Sequence, residues 1–126
     1  MKKITPVLLV DAIEPVLPFW TEALGFEVTT EVPEGDRLGF VILRKGAVEL
    51  MYQTLESVRN DIPELADAPQ RGSFVFIEVD DLDAVDDALA SAERVIPRRK
   101  TFYGADELIV REPAGNVVTF ARFEDA

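Results

Sequence analysis

Apolar residues run together or alternate over 4–10, 27–32, 37–44 and 47–53, and again over 73–79, 95–100, 107–111 and 116–123. Short runs of this kind, bounded by Gly, Pro, Asn and Asp, predict β-strands. Elsewhere the period changes. Val16, Phe19, Trp20 and Ala23 recur at i, i+3, i+4 and i+7, the buried stripe of an amphipathic helix over about 14–24. Pro15 and Pro18 fall in its first turn, where missing N–H groups cost little, and Gly25 stops it. Val85, Ala88, Leu89 and Ala92 repeat that spacing and predict a second helix over 82–92. Turns are expected at Pro33–Asp36, Lys45-Gly46 and Pro113-Ala114-Gly115. Residues 54–72 carry Asn60, Asp61, Pro63, Pro69 and Gly72 and read as a linker, with a short helix at Leu55–Val58 or Pro63–Ala66.

The two halves match at an offset of 69 residues. Val10-Asp11-Ala12-Ile13-Glu14 reappears as Val79-Asp80-Asp81-Leu82-Asp83, and Gly46 falls on Gly115. Agreement in a strand end, a helix face and a late turn argues for a duplicated unit. The expected architecture is α+β: one domain over residues 1–126, built from a βαβββ module at 4–53, a linker at 54–72 and a second βαβββ module at 73–123.

Composition narrows the function. The chain of 126 residues is 48% hydrophobic and 29% charged, ordinary values for a folded domain. It has no Cys and no His, which removes thiol chemistry, the commonest general base and the commonest transition-metal ligand. Thirteen basic residues stand against 24 acidic ones, a net charge of −11 that repels nucleic acid and anionic membranes. The basic cluster Arg94, Arg98, Arg99 and Lys100 is too short for a nucleic-acid footprint. Lys2 and Lys3 precede an apolar stretch, but Pro6 interrupts it and Asp11 and Glu14 follow, so a first strand is expected and not a signal peptide. No stretch is long enough to span a membrane, and a cytoplasmic location is the expectation. The run Asp80, Asp81, Asp83, Asp86 and Asp87 lacks calcium-loop spacing; Asp81 is expected to cap the second helix.

Four segments carry a family resemblance. Phe19-Trp20-Thr21-Glu22-Ala23-Leu24-Gly25-Phe26, Ala47-Val48-Glu49-Leu50-Met51-Tyr52, Glu78-Val79-Asp80-Asp81-Leu82-Asp83-Ala84 and Glu112-Pro113-Ala114-Gly115-Asn116 occur in order along nearly the whole chain. Together they resemble the vicinal oxygen chelate superfamily of glyoxalases, bleomycin-resistance proteins and extradiol dioxygenases. The resemblance implies two modules whose strands curl into one open, cup-shaped mixed sheet with helices outside and a ligand inside. It also implies that metal-binding members place one ligand on each of four strands, at positions matching Thr5, Glu49, Phe74 and Thr119. Thr5 and Phe74 are 69 apart but Glu49 and Thr119 are 70 apart, so a bulge or a different turn is expected in one copy. One carboxylate, two weak hydroxyls and a phenyl ring do not hold a transition metal, so neither metal nor cofactor is expected.

Strand alternation puts Val7, Leu9, Met51, Gln53, Phe76, Glu78, Val117 and Ala121 on the same face as those four. Leu8, Val10, Leu50, Tyr52, Val75, Ile77, Val79, Val118 and Phe120 then pack under the helices, and Trp20 packs with them. The expected ligand-binding set is Thr5, Val7, Glu49, Met51, Phe74, Phe76, Tyr103 and Thr119, with Glu49 the polar anchor for an aromatic or cationic small molecule. Three functions follow in order of preference. The first is a metal-independent binding protein. The second is a lyase or isomerase of the same superfamily using Glu49 either as base, with its pKa raised by burial, or as a metal ligand. The third is a ligand-free scaffold whose side chains fill the cup. Open strand edges and apolar surface predict a homodimer.

Overall fold

A computed structural model describes residues 2–65, 67 and 72–124. The chain divides into two compact units, Met1–Arg71 and Gly72–Ala126. The fold class is α+β: each unit is one open sheet with a helical segment against one face. Among the described residues no helix is long and apolar enough to cross a membrane.

In the first unit the strands are β1 (Val7–Val10), β2 (Glu27–Glu34), β3 (Arg37–Lys45) and β4 (Val48–Thr54), in the order β1-β4-β3-β2. β1 runs parallel to β4, and the other pairs are antiparallel. β2 extends two residues beyond the expected Val32, through Pro33, leaving a two-residue turn at Gly35-Asp36. An edge strand tolerates a proline, because no neighbour needs its N–H.

The helix expected over 14–24 is irregular. It consists of a 3-10 turn, Glu14–Val16, followed by a π-helical turn, Phe19–Ala23. Pro18 has no N–H to donate to Glu14, whose carbonyl instead accepts from Leu17. The Thr21 hydroxyl then donates to the Leu17 carbonyl at 2.9 Å, competing for a backbone acceptor. Trp20 is fully buried, and its Nε1–H donates to the Tyr52 hydroxyl at 2.9 Å. Phe19 and Phe26 meet the Trp20 ring edge-on, each at 5.1 Å. Leu8, Val10, Val41, Leu43, Leu50 and Tyr52 complete this core on one sheet face, as alternation requires. The short helix expected after β4 is α1 (Leu55–Asp61), capped by the Thr54 side chain, which accepts from the Ser57 N–H at 3.1 Å. A 3-10 turn follows at Pro63–Leu65; Ala66, the last residue of that expected segment, lies outside the described residues, as does Pro69.

The second unit contains β5 (Phe74–Glu78), α2 (Leu82–Ala88), β6 (Glu93–Arg94), β7 (Arg99–Lys100), β8 (Ala105–Arg111) and β9 (Val117–Phe123). Its order, β5-β9-β8-β6 with β7 also on β8, repeats that of the first unit. β5 is parallel to β9 as β1 is to β4. Of the strand expected over 95–100 only β7 forms; β6 lies just before the expected span, and Pro97 falls in the gap between the two. α2 stops at Ala88, short of the expected residue 92, and Leu89 serves as its C-cap. Asp81 caps α2 as expected, accepting from the Ala84 N–H at 3.0 Å. Leu82, Leu89, Leu108, Val110, Val118 and Phe120 form the core, whereas Val75, Ile77 and Val79 are half-buried.

Gly46 and Gly115 both have positive φ, +58° and +91°, a conformation that costs glycine nothing. The turns around them differ in length. Lys45 pairs with Val48, but Arg111 pairs with Val117, so the second hairpin loop is three residues longer. A different turn in one copy was the expectation.

Candidate functional site

Each sheet has one face packed under its helix and one open face. In the first unit the open face carries Val7, Leu9, Phe40, Ile42, Met51 and Gln53, in register across β1, β4 and β3. Val7 is exposed and the others are half-buried. Glu49 lies at the start of β4 on this face and is only 13% exposed. Lys3 Nζ sits 2.7 Å from its Oε1, the Thr5 hydroxyl donates to the same oxygen at 3.1 Å, and Arg44 Nε lies 3.8 Å from Oε2. The hydrogen bond from Lys3 is the main cause holding the Glu49 pKa below the usual glutamate range, aided by Thr5 and the Arg44 charge. This corrects the expectation that burial raises it: desolvation acts in that direction, but the cations outweigh it. At the opposite end of β4 a depression of about 370 Å³ is lined by Asp11, Arg37, Leu55, Glu56, Arg59 and Asn60, away from every expected site residue.

In the second unit the open face is aromatic. Phe74 is 86% exposed, Phe76 53%, Tyr103 46% and Phe123 36%. The rings form a strip: Phe76 to Phe123 at 6.3 Å, Phe123 to Tyr103 at 6.2 Å, and Tyr103 to Phe102 at 5.2 Å. Ala121, between Thr119 and Phe123 along β9, is fully buried and lies in register with Glu78 and Glu107.

A carboxylate that the sequence reading missed lies beside this strip. Glu107 of β8 is on the open face, in register with Arg99 and Ala121, yet it is 2% exposed. Arg99 Nε donates to its Oε1 at 3.0 Å, and the Tyr103 hydroxyl donates to its Oε2. That acceptor raises the Tyr103 pKa above the usual phenol value, because a phenolate there would face a carboxylate. The signal was present in the alternation, since Glu107 is two residues before Ile109, which faces Thr119. Arg99 was read only as part of a basic cluster, and Phe123 as a strand end.

The expected ligand-binding residues thus fall into two groups. Thr5, Val7, Glu49 and Met51 share the open face of the first unit; Phe74, Phe76, Tyr103 and Thr119 share that of the second. Register places Thr119 beside Phe76, whereas Phe74 lies beside Val117. The mapping that made Thr119 the counterpart of Glu49 is therefore displaced by one pair: Thr119 holds the place of Met51, and Val117 that of Glu49. The four positions implied as metal ligands do not fit a metal site. Glu49 already carries two cations, Phe74 has no donor atom, and Thr5 and Thr119 offer neutral hydroxyls.

The strand order, the repeat and the two open faces agree with what known proteins show. The chain belongs to the Glyoxalase/Bleomycin resistance protein/Dioxygenase superfamily, whose family model matches residues 4–120. No curated protein matches its sequence significantly. Among solved structures, a glyoxalase/bleomycin resistance protein/dioxygenase from Nocardioides superposes with a TM-score of 0.78 at 19% identity, covering 100% of this chain and 86% of that one. A lactoylglutathione lyase from Agrobacterium tumefaciens gives 0.76 at 16% identity, covering 98% and 99%. A bleomycin-binding protein from bleomycin-producing Streptomyces verticillus, complexed with copper(II)-bleomycin, gives 0.64 at 28% identity, covering 98% and 99%.

Proposed function

We propose that this chain is a metal-independent binding protein for a small, partly aromatic molecule. The observation that carries the proposal is the strip of exposed rings Phe76, Phe123 and Tyr103, with exposed Phe74 two residues from Phe76 on the same face of β5. Contiguous exposed aromatic surface is costly in water and marks recognition sites. Similarity to a bleomycin-binding protein supports the same reading. Thr119 supplies a hydroxyl within the strip; Thr5, Val7, Glu49 and Met51 offer the first unit's own open face as a second contact surface. The molecule works as a homodimer in the cytoplasm in this reading.

The catalytic alternative draws no support from Glu49. A carboxylate kept ionised by Lys3 and Arg44 is a weak base. The scaffold alternative has one observation in its favour, the burial of Ala121 and Glu107 on this face by the chain itself.

Titration with 2-naphthamide, a neutral aromatic probe, followed by backbone amide shifts, separates these readings. Binding should move resonances of β5 and β9, and Phe76→Ala should weaken it roughly threefold to tenfold, the worth of one aromatic contact. No saturable shift on those strands, or unchanged affinity in the variant, would leave the scaffold reading in its place.

A further inference from the structure

Arg98 and Arg99 are adjacent in sequence, but their partners differ in number. Arg98 is held by three carboxylates: Asp83 at 2.7 Å, Asp106 at 3.0 Å and Asp86 at 3.3 Å. Arg99 is held by one, through Nε to Glu107, and its side chain is 51% exposed. Its two terminal nitrogens have no partner among the described residues. The Nε–H bond turns the far edge of the guanidinium away from Glu107, and that edge is the fork that suits a carboxylate. Arg98 demonstrates that a guanidinium in this unit readily carries more than one carboxylate.

The support behind Arg99 is buried and fully hydrogen-bonded. Both Glu107 oxygens are engaged, one by Arg99 and one by Tyr103, and the carboxylate is buried beneath them. Tyr103 joins this clamp to the ring strip, so the strip runs from Phe76 through Phe123 and Tyr103 to the carboxylate that holds Arg99. The row Arg99, Glu107, Ala121, Glu78 crosses the sheet. Glu78 is therefore three strand spacings from Arg99, roughly 14 Å, beyond the screening length at physiological salt. It does not cancel the attraction of Arg99 for an anion.

We propose that Arg99, clamped by Glu107 and Tyr103, is an anion-recognition element, and that the ligand of this face is a small planar aromatic carboxylic acid. The acid group takes the free edge of Arg99 and the ring lies along Tyr103, Phe123 and Phe76. This inference rests on the reading that the aromatic face binds small molecules, and it names the class of molecule.

Calorimetric titration of the full chain with 2-naphthoate, 2-naphthamide and 2-naphthylmethylammonium tests it. The acid should bind at least about tenfold more tightly than the amide, a factor worth about 1.4 kcal/mol. Arg99→Gln should abolish that preference while amide binding persists. Arg99→Lys keeps a cation opposite Glu107 and so protects the fold; it should lose most of the preference, because an ammonium lacks the fork. Equal affinity for acid and amide, tightest binding of the ammonium, or an undiminished acid preference in either variant would overturn the inference and leave the binding function standing. Failure of all three probes to bind would overturn both.

Discussion

Glu49 and Glu107 are held in the same way, each by one close cation and one hydroxyl: Lys3 with Thr5, and Arg99 with Tyr103. A carboxylate on a half-dry sheet face is tolerated only when its lone pairs are occupied. For Glu49 the consequence is measurable. Its folded pKa is lowered, so the pairing contributes stability above the usual glutamate range, about pH 4–5. That contribution disappears as pH falls through the lower folded value. Lys3→Ala removes the main cause, so the Glu49 carboxyl should titrate at higher pH in the variant than in the parent when followed by side-chain carbon NMR. Identical midpoints would show that Lys3 does not hold it. Alternation placed Glu49 on the open face, but Lys3 lies far from it in sequence and no local pattern pairs them. Glu107 escaped notice because its partner, Arg99, lies across a strand pairing that Pro97 obscures.

At the scale of elements, caps and repeats were legible. Asp81 precedes a helical stripe and does accept from the Ala84 N–H. Asp81→Ala should lower stability by about 0.5–2 kcal/mol, the usual worth of an N-cap, measured by urea unfolding. A change near zero would mean that packing of Leu82 and Leu89 alone sets the start of α2. The π-helical turn at Phe19–Ala23 was not legible. It coincides with Pro18, which lacks an N–H, with the Thr21 hydroxyl on the Leu17 carbonyl, and with the long-range bond of Trp20 to Tyr52. The register of the second hairpin was half-legible: a different turn in one copy was expected, but only the pairing of Phe76 with Thr119 shows which residues of β4 and β9 correspond.

For the whole molecule, assembly is the open question that a single measurement answers. β1 and β2 end one sheet and β5 ends the other. Ile4 and Phe102 are at least 97% exposed. Such surface is usually covered by a second copy. Sedimentation at micromolar concentration should find a species of twice the chain mass; a monomer alone would contradict the homodimer.

The sequence by itself determined the α+β class, the duplicated βαβββ unit, the buried faces of both sheets and the family, because period-two and period-3.6 patterns and their turns are local properties of the chain. It also marked Phe74 and Phe76 as lying on an open face. Only the tertiary structure decided which charges meet. Lys3 reaches Glu49 across 46 positions, and Arg99 and Tyr103 close over Glu107 through the pairing of β7 with β8. Ion pairs and hydrogen bonds depend on distances of about 3 Å, which strand register sets and residue type does not.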